Sequence, residues 1–179
     1  MISPLEQRGA RAQGSCLDGI TVRAFGPKDR EWANGLLTEL QGEPRTARLG
    51  ELIDPLGLPG FVAEKDGESI ALLTYIIKGD KFEIFTLHGR VENVGAGSAL
   101  MKAAEGLARE KGCQRVWLCT TNDNVNALGF CQRRGLVLRR LHAEAVNRDR
   151  LLKPTISLVN RENGIPIRDL LELEKQVSR

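Results

Sequence analysis

Several features that would place the chain in a membrane, secreted or metal-binding class are missing from its sequence. The 179 residues contain no apolar run of about 18 residues or more, the length that a transmembrane helix needs. The first residues lack the apolar stretch of a secretory signal. The four cysteines form no Cys-x-x-Cys pair, and the two histidines, His88 and His142, show no metal-binding spacing. These absences predict a cytoplasmic protein with reduced thiols, no membrane partner and no bound metal.

The sequence also lacks a strong excess of charge of one sign. It has 26 Lys and Arg against 23 Asp and Glu, for a net charge of +3, which does not indicate a nucleic-acid partner. Arginine pairs at residues 133–134 and 139–140 would attract an anionic ligand or form part of a solvated surface, and the pattern does not separate the two. The length and the 41% apolar content are typical of one globular domain with a substantial core.

The first half of the chain carries the patterns of one strand, two helices and an antiparallel meander. Alternation predicts a strand over residues 20–25, after an arm over residues 1–18 that has no periodicity and that we expect to be flexible. Helical spacing of apolar residues predicts a helix over residues 29–40, and a second short helix is predicted over residues 46–53. Three further strands are predicted over residues 60–64, 69–77 and 82–87, the first two joined by an Asp66-Gly67 turn.

The second half alternates helices with strands. A helix that ends at Gly112 connects the strand at residues 82–87 with an apolar strand at residues 116–120, and this order indicates a parallel pair. Asn124 can cap the next helix, which a strand then follows. These two elements are predicted over residues 125–134 and 136–141.

The strand at residues 136–141 closes what we interpret as one domain, over residues 19–141. Residues 142–179 form a C-terminal extension, with a terminal helix from Ile167 that packs on the same domain. The apolar side of this predicted helix carries Leu170, Leu171, Leu173 and Val177. That side would pack on its own domain or on a second subunit, which leaves a homodimer open.

A glycine-bearing turn joins the strand at residues 82–87 to the helix after it. It is formed by Glu92-Asn93-Val94-Gly95-Ala96-Gly97-Ser98. A strand, a short turn and a helix in this order direct unpaired N–H groups and the positive end of the helix dipole at one point, which suits a phosphate or pyrophosphate. Glycine at positions 95 and 97 would let the backbone approach a ligand closely, although an ordinary strand–helix connection would explain the same residues.

Two motifs in this arrangement resemble those of the GNAT-type acyl-CoA N-acyltransferase superfamily. Residues 92–97 are similar to the pyrophosphate turn, in which Gln or Arg is followed by two residues, Gly, one residue and Gly or Ala. Residues 124–136 are similar, at the same spacing, to the Asn-x-x-Ala…Tyr-x-x-x-Gly-Phe signature. The resemblance covers about residues 20–141. It implies an α/β (α+β) fold with a mixed, mostly antiparallel central sheet flanked by helices, and a parallel pair splayed around the cofactor site.

The resemblance also implies that acetyl-CoA is the co-substrate. Its pantetheine arm would pair with the exposed backbone of the strand before the turn, at Phe85 and Leu87, and Asn124 would contact the same arm. The pyrophosphate would lie on the turn, whose residues are Glu92, Asn93, Val94, Gly95, Ala96, Gly97 and Ser98.

Two residues depart from the family pattern. Glu92 stands where Gln or Arg is usual, and a carboxylate near a pyrophosphate is unfavourable. Cys131 stands where the family often has a Tyr that protonates the departing CoA thiolate, so it is either a catalytic acid or a buried structural thiol.

The candidates for the general base are Glu83, on the strand before the glycine-bearing turn, and His88, just after that strand. The catalytic candidates are therefore Glu83, His88 and Cys131.

The predicted function is N-acetyl transfer from acetyl-CoA to a primary amine, by direct attack in a ternary complex. The acceptor would be a small-molecule or peptide amine, selected by residues between about 32 and 60 and by the late loop, residues 160–166. The alternative is a non-catalytic acyl-CoA-binding or regulatory module that kept the turn and lost the general acid, a possibility that Glu92 and Cys131 raise. A nucleic-acid binder has only the arginine pairs in its favour.

Overall fold

A computed structural model of the chain describes residues 19–90 and 95–177, and these residues form nine β-strands and four α-helices. The strands are β1 (Ile20–Ala24), β2 (Thr46–Arg48), β3 (Glu51–Ile53), β4 (Gly60–Lys65), β5 (Glu68–Lys78), β6 (Lys81–Gly89), β7 (Arg115–Thr121), β8 (Val137–His142) and β9 (Leu170–Gln176). The helices are α1 (Arg30–Gln41), α2 (Ala96–Glu110), α3 (Val125–Arg133) and α4 (Ala145–Asp149). No helix in the described ranges has the length and apolar character that a membrane span requires.

The central sheet takes up seven of the described strands, in the order β1-β4-β5-β6-β7-β9-β8, while β2 and β3 form a separate hairpin. Neighbouring strands of the described sheet are antiparallel except for β6 and β7, which run parallel. This confirms the predicted mixed, mostly antiparallel sheet with one parallel pair. Asp66 and Gly67, both at positive φ, form the predicted tight turn between β4 and β5.

The parallel pair is short and then opens. Three residues of β6, from Lys81 to Glu83, lie opposite three residues of β7, from Arg115 to Trp117, and the described residues of these strands pair no further. Beyond this point β6 continues against β5, and β7 continues against β9. Because each strand is held by its other neighbour, the two diverge and leave a V-shaped opening whose vertex is at Glu83 and Trp117.

A β-bulge in β6 adds to this divergence. Thr74 of β5 lies opposite Thr86, but the next residue, Tyr75, lies opposite Ile84, so Phe85 is an extra residue on β6. A bulge bends its strand and increases the local twist. Since Phe85 follows the vertex by two residues, the bend occurs where β6 begins to leave β7.

Helices cover both faces of the sheet. On one face, Ala33, Leu36 and Leu37 of α1 pack against Val62 and Leu72. On the other face, α2 packs in the main hydrophobic core, whose strand residues include Phe61, Leu73, Phe82, Ile84, Val116, Leu118 and Leu173. Because successive strand residues point to opposite faces, the polar residues between these core positions point away from α2.

The short helix predicted over residues 46–53 is wrong, because this segment is the β2–β3 hairpin. Its turn places Leu49 and Gly50 at φ values of 52° and 82°, in the left-handed region that leucine rarely adopts. The buried carboxylate of Asp149, in α4, accepts hydrogen bonds from the backbone N–H groups of Leu49 (3.1 Å) and Gly50 (2.7 Å). A contact that spans 100 residues of sequence therefore supports this turn, and helical spacing could not reveal it.

The terminal helix predicted from Ile167 is also wrong, because this part of the chain forms β9. The strand lies between β7 and β8 and is antiparallel to both. Polarity alternates from Leu171 to Glu174, which favours a strand, whereas the predicted helix rests only on the spacing of the apolar residues. Leu170 and Leu173 are buried in the chain's own structure, so this segment no longer argues for a second subunit.

Removing the Asp149 carboxylate tests its role in the hairpin. Asp149→Ala is expected to lower the free energy of unfolding by about 2–4 kcal/mol, because two N–H groups lose a buried acceptor. The matched control is Asp54→Ala, which removes an exposed carboxylate that accepts a 2.9 Å bond from the N–H of Leu56. There a loss of about 1 kcal/mol or less is expected. Urea unfolding measures both, and equal losses would contradict the role given to Asp149.

Candidate functional site

The first turn of α2 lies just beyond the connection from β6. Gly95 caps the helix at φ 85°, a conformation that favours glycine, and its carbonyl oxygen accepts a hydrogen bond from the N–H of Ala99 (3.0 Å). No side chain of the described residues caps this end, so N–H groups of the first turn remain available to a ligand. Glu92, Asn93 and Val94, predicted for the same turn, lie outside the described residues.

Gly97 and Ser98 connect this first turn to α3. A Cβ atom at Gly97 would come within 3.0 Å of Cζ of Phe130, so the residue has to be small for the two helices to pack. Arg134 stacks on the Phe130 ring, with Cζ 3.4 Å from the centroid, and it donates hydrogen bonds to the Phe130 carbonyl oxygen (3.1 Å) and the Ser98 hydroxyl. These contacts place a guanidinium beside the first turn of α2.

An open groove of about 510 Å³ continues from this helix end along α2. Within it, Lys175 is paired with Glu105 (Nζ–Oε1, 2.8 Å), whereas Lys102 and Arg133 are exposed. The groove therefore presents positive charge next to a helix N-terminus, which suits a ligand that carries several phosphates. Its walls are formed by Ser98, Met101, Lys102, Glu105, Arg133, Arg134 and Lys175.

The V-shaped opening exposes the edge of β6 that carries Phe85 and Leu87. Leu87 pairs with Leu73 of β5 on its other side, and Phe85 is the bulge residue. The edge toward β7 has no strand partner beyond Glu83 in the described part of the chain, so an extended ligand arm can add to it as a strand would. Asn124 lies at the start of α3, where its Oδ1 accepts a hydrogen bond from the N–H of Ala127 (3.1 Å) and caps the helix.

Glu83 lies at the vertex of the opening, on the face of the sheet opposite α2. Its side chain is buried (3% exposed) and forms an ion pair with Arg48 of β2. The Arg48 guanidinium also lies over the rings of Phe85 (5.4 Å to the centroid) and Trp117 (5.7 Å). Burial raises the pKa of Glu83 above its usual value, and the neighbouring Arg48 offsets only part of this effect.

Arg48 itself is incompletely paired. Its Nη2 faces Glu83 as an ion pair without the alignment of a hydrogen bond, and its buried Nε has no hydrogen-bond partner among residues 19–90 and 95–177. Sequence reasoning missed Arg48 because it assigned the residue to a helix. A buried guanidinium with unused donors is a group that an incoming ligand can engage.

His88 lies farther along β6, opposite Leu72 of β5. Burial lowers the pKa of His88, and the nearby Lys153 lowers it further, so the imidazole is neutral at pH 7. Lys153 is itself buried, and its Nζ donates a hydrogen bond to the carbonyl oxygen of Arg45 (2.7 Å). Strand residues rise about 3.4 Å each, which separates His88 from Glu83 by about 17 Å along β6. The two predicted bases are therefore far apart.

Cys131 is buried in the main core on the α2 side of the sheet, with 3% of its surface exposed. Burial raises the pKa of its thiol to about 11, and the nearby Arg134 offsets part of this rise. Among the three predicted catalytic residues, Glu83 lies at the vertex, His88 lies near the α2 end of β6, and Cys131 lies within the core.

A second polar group on the same face as Glu83 was missed by sequence reasoning. Cys119 of β7 lies opposite Glu172 of β9, and Oε2 of Glu172 lies 3.0 Å from Nε2 of His142 in β8. Burial, followed by the charge of Glu172, raises the pKa of Cys119 to about 12. The alternation of residues 171–174 is the signal that could have shown that Glu172 and Glu174 share one face of a strand.

Comparison with known proteins agrees with this arrangement. The profile of the acetyltransferase (GNAT) family matches residues 29–136, which is more than half of the chain. The uncharacterized protein YdhI of Bacillus subtilis (strain 168) is 45% identical over 121 residues, which cover 67% of this chain and 75% of YdhI.

Solved structures share the fold at low sequence identity. Ard1 from Thermoplasma volcanium has a TM-score of 0.65 at 20% identity, covering 90% of this chain and 99% of that one. A GNAT family acetyltransferase from Elizabethkingia anophelis, solved with acetyl-CoA bound, has a TM-score of 0.62 at 18% identity, covering 89% and 99%. These likenesses concern the fold, and together with the family profile they confirm the predicted family and fold class.

Replacing Arg48 tests the ion pair at the vertex. Arg48→Met is expected to lower the free energy of unfolding by about 3–5 kcal/mol at neutral pH, because it leaves Glu83 buried without its counter-ion. Without Arg48, the folded-state pKa of Glu83 rises further above its unfolded value. The loss is therefore smallest below about pH 4.3, the usual pKa of a glutamate, and grows as the pH rises toward the folded-state pKa. Urea unfolding at several pH values measures this dependence.

The matched control is the double variant Arg48→Met/Glu83→Gln, which removes both charges. It is expected to recover most of the lost stability and to show no added pH dependence, because no unpaired charge is left buried. An Arg48→Met variant that is destabilised equally at acidic and neutral pH would contradict an ionised Glu83 held by Arg48.

Proposed function

Because this chain belongs to the acetyltransferase (GNAT) family, we propose that it transfers an acetyl group from acetyl-CoA to a primary amine by direct attack within a ternary complex. The observation that carries the proposal is that the V-shaped opening between β6 and β7 leads toward the N-terminus of α2, which no side chain of the described residues caps. Such an arrangement suits an extended thioester with a phosphate-rich end, since a free strand edge and a helix end offer main-chain groups to the two parts. The bound acetyl-CoA of the Elizabethkingia anophelis acetyltransferase supports the choice of co-substrate.

The proposed cofactor site relies mainly on backbone atoms. The pyrophosphate would bind the N–H groups of the turn that leads into α2, from Glu92 to Ser98, and the pantetheine arm would pair with β6 at Phe85 and Leu87. The cationic groove beside α2 would take the phosphate at the adenosine end. The Oδ1 of Asn124 is used by the helix cap, so its side-chain N–H₂ group is the part that can contact the arm.

We assign Glu83 as the general base. An arm that starts at α2 and follows β6 would bring its sulfur atom to the vertex, which is where Glu83 lies and about 17 Å from His88 along the strand. The raised pKa of Glu83 also moves its carboxylate toward the range in which it accepts a proton efficiently near neutral pH. His88, which is neutral and lies near the α2 end, belongs to the wall of the opening in this proposal.

The proposed chemistry requires one base and no protein acid. The amine nitrogen attacks the thioester carbonyl carbon, a C–N bond forms, and the C–S bond breaks. Glu83 accepts the proton that the nitrogen loses, directly or through one water, and the departing CoA thiolate takes a proton from solvent. Cys131 acts as a structural thiol, since it is buried in the core and burial raises its pKa to about 11.

The acceptor would reach the thioester from the face that carries Glu83 and Arg48. The β2–β3 hairpin lies on this side of the sheet, because its Arg48 contacts Glu83 and Trp117. The late loop is attached to the end of β7, where Asn160 donates a hydrogen bond to the Asp123 carboxylate (2.8 Å). A small-molecule or peptide amine that binds here would meet both segments.

Acetyl-CoA binding, measured by isothermal titration calorimetry, tests the cofactor site. Ser98→Glu is expected to weaken binding by about tenfold or more, because it places a carboxylate in the first turn of α2 and draws Arg134 into an ion pair. Position 98 is preferable to Gly97, where a Cβ would lie 3.0 Å from Phe130 and disturb packing. An acidic residue near a helix N-terminus also favours the helix, so the variant should fold.

The matched control is Gly106→Glu, which adds the same charge to the same helix at a position where a Cβ has no neighbour within 4 Å. It is expected to bind acetyl-CoA with nearly the affinity of the original chain. Absence of binding by the original chain, or equal affinities of the two variants, would reject the proposed site.

Release of CoA thiol, measured over a panel of small-molecule and peptide amines, tests the chemistry. Glu83→Gln keeps the shape of the side chain and is expected to reduce kcat by about 10²–10⁴-fold, the usual contribution of a general base. Cys131→Ala is expected to keep kcat within about threefold while lowering stability, since it removes a buried core group. A loss of kcat in Cys131→Ala as large as that in Glu83→Gln would instead give the thiol a chemical role.

The same assay separates the enzyme from a non-catalytic acyl-CoA-binding module. The observation that favours the module is the ion pair at the vertex, because Arg48 holds the residue that would act as base. Acetyl-CoA binding without thiol release for any amine would support the module and reject the enzyme.

A further inference from the structure

A thiol, an imidazole and a carboxylate meet on the face of the sheet opposite α2. Cys119, His142 and Glu172 come from β7, β8 and β9, and one ligand atom from each lies within 4.8 Å of the other two. The three positions are widely separated in the sequence, so no short metal-binding motif could show this group. It arises because β9 is inserted between β7 and β8.

The sheet register directs the three side chains to one place. Cys119 and Arg140 both lie opposite Glu172, on the two sides of β9, and His142 follows Arg140 by two residues. Directly paired residues and residues two apart share a face of the sheet, so all three side chains point the same way. Their positions are therefore set by three hydrogen-bonded strands and not by mobile loops.

The separations fit a tetrahedral metal centre. With typical zinc bond lengths to nitrogen, oxygen and sulfur, neighbouring ligand atoms are about 3.4–3.6 Å apart. The observed separation of His142 Nε2 and Glu172 Oε2 is 3.0 Å, and the largest separation in the group does not exceed 4.8 Å. Small side-chain rotations would bring the three atoms to these distances. Thiolate, imidazole and carboxylate are also the three ligand types that zinc takes in proteins.

The surrounding charges favour a cation on balance. The guanidinium of Arg115 lies 3.6 Å from Oε1 of Glu172 and would repel a bound cation. Its closer contact, however, is with Glu174. The charges of Glu83 and Asp149 raise the pKa of the Cys119 thiol, and the positive charge of Arg48 lowers it. The carboxylates of Glu172, Glu83 and Asp149 therefore face two guanidinium groups at this position, those of Arg48 and Arg115. Arg140, which lies opposite Glu172, is exposed.

We propose that Cys119, His142 and Glu172 form a binding site for a divalent transition-metal ion of the zinc class, with the fourth coordination position open. On binding, the Cys119 thiol gives its proton to solvent and coordinates as the thiolate, while His142 and Glu172 coordinate through Nε2 and Oε2. Cys119 and His142 are half-buried, so water reaches the fourth position. The proposal stands on these residues alone and is independent of the acetyl-transfer proposal.

The position of the site links it to the opening in the sheet. Cys119 follows Trp117 by two residues on β7 and lies on the same face as Glu83 and Arg48. A bound ion would therefore join β7, β9 and β8 beside the vertex and would place its open position on the face from which an acceptor enters in the proposed function. Since it binds the folded arrangement, the ion should also raise the midpoint of thermal unfolding.

Cobalt(II) is the probe for the experiment, because a cobalt thiolate absorbs in the near ultraviolet whereas zinc is colourless. The full-length chain, reduced with a phosphine and freed of metal by chelation, is titrated with Co²⁺. We expect one equivalent to bind, with a thiolate-to-cobalt charge-transfer band, visible bands typical of four-coordination, and displacement of both by Zn²⁺. Absence of the charge-transfer band, or binding without a rise in the unfolding midpoint, would overturn the proposal.

Variants assign the ligands. Cys119→Ser is expected to abolish the charge-transfer band, and His142→Gln and Glu172→Gln are each expected to weaken binding by more than about 100-fold, since losing a second-shell partner alone costs about 10–100-fold. Cys113→Ser and Cys16→Ser are the matched controls and should keep the band. Circular dichroism checks that each variant folds. If Cys119→Ser does not fold, the affinities of His142→Gln and Glu172→Gln for Co²⁺ show whether the ion binds at this site. A band that survives in Cys119→Ser, or disappears in a control that folds, would refute the assignment.

Discussion

The early end of pairing between β6 and β7 is the constraint on which the rest of this molecule depends. Beyond Glu83 and Trp117 each strand keeps its other partner, β5 or β9, and Ile84 and Leu118 stay buried beneath α2. The sheet therefore opens without exposing its core. Because the opening is part of the hydrogen-bond register, it is present before any ligand arrives, and an extended arm can add to β6 without first ordering a strand.

The two faces of the sheet have different chemistry around this opening. The α2 side combines an apolar core with a helix N-terminus and a cationic groove, whereas the opposite side carries buried carboxylates. Buried carboxylates are costly unless they are paired, and the partners are Arg48 for Glu83 and Arg115 for Glu174. Arg48 also covers the rings of Phe85 and Trp117, so one side chain from the hairpin neutralises the vertex and shields it from water.

Sequence patterns predicted the parts of the fold that depend on local contacts. The Asp66-Gly67 turn and the helix cap at Asn124 involve residues only a few positions apart, and the family motifs include Asn124 and Gly95. The hairpin at residues 46–53 was misjudged because its turn depends on Asp149, in α4. The strand β9 was misjudged for a different reason, since its alternation was visible but apolar residues at helical spacing competed with it.

The distinction between local contacts and contacts from distant segments also applies to the candidate site. Glu83 could be selected from its place before the glycine turn, but its partner Arg48 comes from the misjudged hairpin. Glu172 and His142 could not be joined with Cys119 until β9 was placed between β7 and β8. The proposed cofactor site would use main-chain groups, so we expect it to tolerate a side-chain change such as that at Glu92. The opposite face presents side chains that distant segments supply, so replacing a charged residue there changes the charge of that face directly. The features that distinguish this chain from its relatives in acceptor choice should therefore be sought on that face and not in the glycine turn.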